Sequence, residues 1–438
     1  MKDPKRTNHL IHVLNFGCSA NRAIAEGLIG TLKQQQYRIT ESLEEANTVI
    51  VNTCVVKQNT EHRMKSLLLN LAFNKEIIIT GCLPVVMRDW ITENIPHAKV
   101  LFPEVAKDIV SLLNNMAVPE VKYADAGVWS QLYLEGRSRY NPVITIIEIS
   151  RGCLGNCSYC IVQKAKGSLR SRTPDNILAE IEKALISGSR EIWLTSQDNG
   201  VYGRDLNPQV NLTNLIESIN HINQEFFVRI GMMTPYMVQN FLQSLIHNFR
   251  SPNIFKFLHL PIQSGSTKIL RSMRRKGDRS YFINLITQLK KNIPDLVLAT
   301  DIIVGFPGET QEDYQSTVDL LHNIQFEIVN ISKYTDRPGT EASQLTTKIP
   351  THIKAQRSRE LSKICRNITK RKLEQWIGWE GKVIIDEHGK KKGQFLGRNT
   401  SYLPVLFEDP NLTLGMIVRA KIIESKAIYL IGEVMKMI

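Results

Sequence analysis

Within eight residues the chain carries three cysteines, Cys153-Leu-Gly-Asn-Cys157-Ser-Tyr-Cys160, directly after the apolar run 143–149. Three thiolates can hold an iron–sulfur cluster that wants four ligands, and the iron left without a protein ligand is then open to a small molecule. An open coordination position is what separates a reactive metal centre from a structural one. A single cysteine is more often a buried structural thiol, but three in a loop of Gly, Asn and Ser have little apolar wall to bury them, which favours ligation. Three further cysteines stand apart, in Phe16-Gly17-Cys18, Asn52-Thr53-Cys54 and Thr80-Gly81-Cys82, each at the end of a short apolar or β-branched run.

The spacing of apolar residues names the elements that must carry these groups. Residues 11–16, 48–52 and 77–80 have strand character and are followed by stretches of helical spacing at 20–35, 60–73 and 85–94, with a fourth pair at 99–102 and 105–115. Alternating β and α elements predict a parallel sheet with crossover helices. The loops after its strands all leave at the carboxyl edge, where open α/β sheets bind ligands, so Cys18, Cys54 and Cys82 are expected in one place. Residues 117–140 are polar and irregular and read as a linker. A second alternation follows, with strands at 143–149, 191–194, 227–231, 255–260, 297–304 and 327–332, which predicts a partial six-unit β/α barrel. Its strands end in the cysteine loop, in Thr195-Ser196-Gln197-Asp198, in Met233-Thr234-Pro235, in 259–264, in 301–309 and in Ser332-Lys333-Tyr334. Barrel enzymes place their chemistry at that rim. Beyond about residue 370 come five short β runs, at 381–386, 392–397, 403–407, 416–424 and 427–434, fitting a small antiparallel barrel of the oligonucleotide-binding kind. The expected fold is thus α/β in three parts: a parallel-sheet domain over 1–118, a partial (β/α)6 barrel over 139–370 and a small β-barrel over 372–438.

Composition narrows the function classes. The 438 residues suffice for two or three cores, and 42% hydrophobic with 22% charged residues describes an ordinary globular chain rather than a disordered one. No apolar run approaches the roughly 18 to 20 residues needed to cross a bilayer, and Met1-Lys-Asp-Pro-Lys-Arg-Thr-Asn lacks the apolar core of a signal peptide. A cytoplasmic location with no membrane partner is expected. Seven cysteines, an odd number, argue against a disulfide framework. The net charge of +13 asks for a polyanionic partner, with nucleic acid first. Lys354, Arg357, Arg359, Lys363, Arg366, Lys370, Arg371 and Lys372 lie on one helical stretch, readable as a phosphate-tracking face or as a solvated charged helix. Neither a Ser-His-Asp arrangement nor a phosphate-cradling loop is present to support hydrolysis or triphosphate chemistry.

The cysteine loop, the glycine-proline segment Asp301-Ile-Ile-Val-Gly-Phe-Pro-Gly-Glu-Thr310 and the terminal barrel together resemble the radical S-adenosylmethionine methylthiotransferases. The likeness extends to Gly17-Cys18-Ser19-Ala20-Asn21, to Asn52-Thr53-Cys54-Val55-Val56, to Gly81-Cys82-Leu83-Pro84, and to Leu396-Gly397-Arg398-Asn399-Thr400-Ser401-Tyr402-Leu403-Pro404-Val405, which looks like the RNA-associated TRAM barrel. Glu191-Ile-Trp-Leu-Thr-Ser-Gln-Asp-Asn-Gly-Val-Tyr-Gly-Arg-Asp205 and Arg229-Ile-Gly-Met-Met-Thr-Pro235 are most similar to the archaeal and eukaryotic branch that acts on threonylcarbamoyladenosine in tRNA. Two departures stand out. The family's usual Ala-Arg-Gly is here Ala165-Lys166-Gly167, and the acidic-serine-acidic run near the first cysteine is replaced by Arg22-Ala-Ile-Ala-Glu26.

The resemblance implies two [4Fe–4S] clusters, one on Cys153, Cys157 and Cys160 and one on Cys18, Cys54 and Cys82. The first would bind S-adenosylmethionine and generate a radical, while the second would present the sulfur. Thr195, Ser196 and Gln197 are expected near the amino group of S-adenosylmethionine, Ile303 and Gly305 near its adenine, Tyr159 at a ring, and Arg172 at the carboxylate. Asp198, His259, Gln263 and Asp301 are candidates for substrate contact. The implied partners are the anticodon arm of tRNA, a reductant protein and a sulfur donor. The same chemistry on isopentenyladenosine or on a ribosomal-protein aspartate, and a non-catalytic iron–sulfur RNA-binding protein, are the other readings.

Overall fold

The computed structural model describes residues 9–56, 58–134 and 136–437; residues 1–8, whose sequence lacks the apolar core of a signal peptide, Lys57, Glu135 and Ile438 lie outside them. The first part is a five-stranded parallel sheet of β1 (Leu10–Asn15), β2 (Arg38–Ile39), β3 (Thr48–Thr53), β4 (Glu76–Gly81) and β5 (Lys99–Val100), in the order β2-β1-β3-β4-β5. Its principal crossovers include α1 (Ser19–Gln34), α2 (Gln58–Leu71) and the short α3 (Cys82–Val86). Every residue of β3 is buried, as expected of a central parallel strand covered on both faces.

Residues 117–140 are largely irregular, as their polarity suggests, but part of the segment is packed into the core. They carry one-turn helices at Ala126–Trp129 and Gln131–Leu134, and Trp129, Leu132 and Tyr133 are buried in the core beneath α1. Small residues on α1 make the approach possible. A Cβ added to Gly27 would come within 2.6 Å of the Leu132 side chain, and one on Gly30 within 2.4 Å of the Gly136 carbonyl. The anchors Trp129, Leu132 and Tyr133 and the α1 glycines that let this segment approach lie far apart in sequence, so local polarity does not show them.

The second part holds the six expected parallel strands, together with a small ribbon of β7 (Ser150–Arg151) and β8 (Arg170–Ser171). They fall into two three-stranded sheets. One contains β6 (Ile144–Glu148), β9 (Glu191–Thr195) and β10 (Phe227–Ile230); the other contains β11 (Phe257–His259), β12 (Val297–Val304) and β13 (Ile328–Lys333). A lone bridge from Val228 to Ile254 spans the break. The short α4 (Val162–Lys166) follows the cysteine loop, and the long α5 (Thr351–Glu374) closes this part.

The third part is a closed barrel of β14 (Glu380–His388), β15 (Gln394–Asn399), β16 (Pro404–Glu408), β17 (Ile417–Ser425) and β18 (Leu430–Met437). Its pairings are antiparallel except for β16 with β18, which run parallel through Val405 to Leu430. It sits at the amino-terminal end of the partial barrel, where Val143, Phe227, Phe255, Phe257 and Val297 share one core with Val383, Ile385 and Val405. Tyr402 plugs this joint, 4.9 Å from Phe255 and 5.2 Å from Phe257 between ring centres.

Candidate active site

The cysteines gather at two carboxyl edges. Cys18 follows β1, Cys54 follows β3 and Cys82 opens α3 directly after β4. These three strands are adjacent and parallel, so the thiols share one edge of the sheet. They act on one another: burial pushes the Cys82 thiol up to about 11, the Lys166 ammonium opposes that rise, and Cys54 and Cys18 add to it. A thiol held so high is protonated at neutral pH.

The second trio lies in the loop beyond β7. The Gly155 backbone N–H donates to Cys153 Sγ at 3.2 Å, the Val162 N–H donates to Cys160 Sγ at 3.4 Å, and Arg275 Nη1 reaches Cys157 Sγ at 3.8 Å. Each sulfur thus has its own N–H donor, the setting that stabilises thiolate charge and tunes cluster sulfurs. Burial pushes the Cys160 thiol up to about 12 against the Val162 hydrogen bond. A Cβ on Gly155 would lie 3.3 Å from Cys153 Sγ and 3.9 Å from Cys157 Sγ, so a side chain there would crowd both sulfurs. No disulfide joins any of the seven cysteines. Among the described residues no His, Cys, Asp or Glu trio is gathered as tightly as a single metal ion requires. An iron–sulfur cluster does not ask for that, because each thiolate takes a different iron. Two all-thiol sets, soft and without carboxylate, fit iron–sulfur clusters by donor chemistry.

The two edges face each other. Thr195, at the end of β9, shares a 2.7 Å hydrogen bond with Ser19, the neighbour of Cys18. Arg337 donates to Glu61 at 2.6 Å and to the Val56 carbonyl at 2.7 Å, just past Cys54, and both ionic partners are buried. The Thr335 hydroxyl donates to Gln58 at 2.9 Å. Arg151, fully buried, reaches Glu148 at 2.8 Å and Glu104 of the first domain at 3.4 Å while stacking 4.2 Å above Trp129.

The remaining expected residues divide into three groups. Gln197 accepts from the Gly152 N–H at 2.6 Å and so steadies the residue before Cys153. The Ser196 hydroxyl is buried without a partner among the described residues. Asp198 accepts from the Gly200 and Thr234 N–H groups at 3.0 and 3.1 Å. On the other half, Tyr159, Ile303 and Phe306 share one apolar patch, with the Tyr159 ring edge-on to Phe306 at 6.5 Å. Gly305 sits there with φ of +71°, its N–H donating to Glu309 at 2.7 Å and its Cα beneath the Lys354 side chain. Gln263 also has positive φ, at 79°, its N–H donates to the Asp301 carbonyl at 2.8 Å, and His259 meets Asp301 at 3.0 Å.

Arg172 does not join them. Its guanidinium is 1% exposed, donates to Glu180 at 2.5 Å and to the Asn176 carbonyl at 3.1 Å, and is committed beneath the barrel wall rather than to a ligand carboxylate. Arg275 and Lys166 are the groups that the site adds. Arg275 follows a helix in the basic run Arg274-Arg275-Lys276, and nothing local distinguishes it from its exposed neighbours.

Comparison with known proteins follows these parts. Residues 147–321 match the Radical SAM superfamily, residues 10–103 the Uncharacterized protein family UPF0004 and residues 377–435 the TRAM domain. The chain is 36% identical over 97% of its length, and 99% of the relative's, to the "Probable threonylcarbamoyladenosine tRNA methylthiotransferase" of Pyrococcus horikoshii. It is 31% identical to the "tRNA-2-methylthio-N(6)-dimethylallyladenosine synthase" of Caldicellulosiruptor saccharolyticus, covering 98% of this chain and 93% of that one. Among solved structures, the radical S-adenosylmethionine methyltransferase TsrM from Kitasatospora setae superimposes with a TM-score of 0.57 at 11% identity over 77% of each chain, a likeness of fold alone.

Proposed function

The chain belongs to the radical S-adenosylmethionine tRNA methylthiotransferases, and from that premise we propose that its two cysteine trios each hold a [4Fe–4S] cluster and open onto one shared substrate cavity. The enzyme transfers a methylthio group to carbon 2 of N6-threonylcarbamoyladenosine, at the nucleotide just 3′ of the tRNA anticodon. The observation that carries the two-cluster reading is the facing of the two thiol-bearing edges, tied by Thr195 to Ser19 and by Arg337 to Glu61.

Carbon 2 of an adenine offers a C–H bond beyond the reach of side-chain acids and bases. When bound, the cluster on Cys153, Cys157 and Cys160 with its S-adenosylmethionine supplies the one-electron chemistry that removes this hydrogen. The protein binds, orients and shields. Ser196 and Thr195 offer hydroxyls to the amino group of S-adenosylmethionine, and Tyr159 with Ile303 offers an apolar wall to its adenine. Arg275 and two backbone N–H groups hold the sulfurs of the loop. The docked edge of the first domain covers the rim, which keeps water from the reacting atoms. The second trio, on Cys18, Cys54 and Cys82, is the site from which sulfur reaches the base, with an external sulfur donor and a reductant protein as necessary partners.

The anticodon arm meets α5 and the terminal barrel. Arg359, Lys363, Arg366 and Lys370 are exposed and recur at helical spacing along one face, while Leu361, Cys365 and Ile368 bury the other. A cavity of about 470 Å³ lined by His322, Asn367, Lys370 and Arg371 lies beside this stripe. Such a face tracks a phosphate backbone. No helix among the described residues is long and apolar enough to cross a membrane; a cytoplasmic place of work belongs to the proposal.

Iron and sulfide analysis of anaerobically prepared protein tests the proposal. Replacing either cysteine trio by Ala is expected to remove one cluster and leave the other, and retention of both would overturn the ligand assignment. Nucleoside mass spectrometry of tRNA from cells with and without the gene is expected to show loss of the methylthio form of threonylcarbamoyladenosine. Loss of the isopentenyl form instead would favour the substrate of the 31%-identical relative.

A further inference from the structure

Lys166 is 3% exposed, and no described residue offers its Nζ a hydrogen bond. A buried ammonium without a partner costs several kcal/mol unless another charge compensates it. Its surroundings are held closely. It ends α4, whose Ala165, with Ile161 just before the helix, is buried in the same core as Cys82 and Leu83 of α3. The Lys166 carbonyl accepts from Arg170 at 2.5 Å, and the next carbonyl, that of Gly167, accepts from the Cys153 N–H at 3.2 Å. The residue therefore belongs by sequence to the loop of one thiol trio while the helix it ends packs against α3, which opens with Cys82 of the other.

The charged groups around that ammonium are few. Glu148 feels it, yet the Glu148 carboxylate is already engaged by Arg151 at 2.8 Å and by the Tyr133 hydroxyl at 2.6 Å. Arg151, the other cation near Cys82, is paired with Glu148 and Glu104. What remains on the side of Lys166 is Cys82, the member of the Cys18, Cys54 and Cys82 trio against which α4 packs. The thiols of that trio become thiolates when they ligate metal, so negative charge appears there on loading.

Building on the two-cluster reading, we propose that Lys166 is the counter-ion of the Cys18, Cys54 and Cys82 metal site, placed to balance the thiolate charge that arises when this site fills. It is a positioning residue that stabilises the loaded state and burdens the empty one. The same side chain, carried on the peptide that follows Cys160, also ties the filling of one site to the fold around the other.

The opposite signs in the two states make the test. In the metal-free full-length chain, Lys166→Met is expected to melt higher than wild type, because an uncompensated buried charge is gone, and Lys166→Arg is expected to melt near wild type. In full-length protein carrying C153A, C157A and C160A, so that only the second trio can hold iron, K166M is expected to release iron to a chelator roughly 10-fold faster or more. The reduction potential of its cluster, followed by electron paramagnetic resonance, is expected to move negative, with K166R restoring both. A lower melt for metal-free K166M together with unchanged iron release would overturn the proposal and leave Lys166 a packing residue. If the triple-Ala chain binds iron and K166M matches wild type in release and potential, the counter-ion role alone falls. If that chain binds no iron at all, the ligand assignment falls first and the role with it.

Discussion

At the scale of single residues, two polar groups near the same rim have opposite consequences when removed. Arg172 is buried in an ion pair with Glu180, whose other oxygen Arg137 holds at 2.7 Å, so R172A removes one of two cationic partners and is expected to cost about 1.5–3 kcal/mol of stability. Denaturant unfolding of the metal-free protein measures that loss, while binding of S-adenosylmethionine to the folded, reconstituted variant should stay near wild type. Ser196 makes no hydrogen bond inside the described chain, so S196A breaks none. It is expected to unfold like wild type and to weaken S-adenosylmethionine binding by about 1 kcal/mol, the usual worth of one hydrogen bond. Unchanged affinity for S196A, or weakened affinity for R172A, would reverse these assignments. The sequence alone puts both residues in one set, because both lie near the ends of strands in polar segments. What separates them is whether a partner elsewhere in the chain, here Glu180 eight residues on, has already claimed the group.

Elements were legible wherever their own residues decide them. The β-branched runs that became β1, β3 and β4 must be strands, and a parallel sheet then leaves Cys18, Cys54 and Cys82 at one edge. Illegible features depend on distant partners: the Trp129 and Tyr133 anchors in the connection, the parallel pairing of β16 with β18, and the division of the six-stranded barrel into halves. The joint between the barrel base and β14 carries a further such feature. Burial, with the neighbouring Asp386 carboxyl adding to it, raises Glu191 above its ordinary value of 4.5, while Trp193, Arg398 and Arg229 oppose the rise. One oxygen of each carboxyl, Glu191 Oε2 and Asp386 Oδ1, has no hydrogen-bond partner among the described residues, a situation that protonation relieves. A group whose pKa is higher when folded stabilises fully below its unfolded value, and the benefit fades as pH rises through the folded one. Stability of wild type is therefore expected to decline as pH rises above about 5, and E191Q should flatten that decline with a gain on the order of 1–2 kcal/mol at pH 8. Thermal melts across pH measure the difference, and parallel curves for the two proteins would refute it.

At the scale of the whole molecule, α5 joins the rim that carries the cysteine loop to the terminal barrel. Lys354 near its start donates to the Tyr334 carbonyl at 3.2 Å, and Lys372 near its end pairs with Glu327 at 3.2 Å, at the foot of β13. Its 24 residues span about 36 Å. Changing Arg359, Lys363, Arg366 and Lys370 together to Gln is expected to make the logarithmic dependence of tRNA affinity on salt shallower by about 3. Iron content should be untouched, since the stripe is exposed and far from the thiols, and an unchanged salt slope would remove α5 from the tRNA surface. On the two-cluster proposal, the distribution of the cysteines along the chain also sets what each site needs before it can fill. Cys153, Cys157 and Cys160 are near neighbours in sequence, so iron can close that short loop on a chain that has not yet folded, at little entropic cost. Cys18, Cys54 and Cys82 meet only after β1, β3 and β4 have paired, so their site cannot exist before the sheet does. On that proposal one centre asks only for a short loop, and the other for a finished domain.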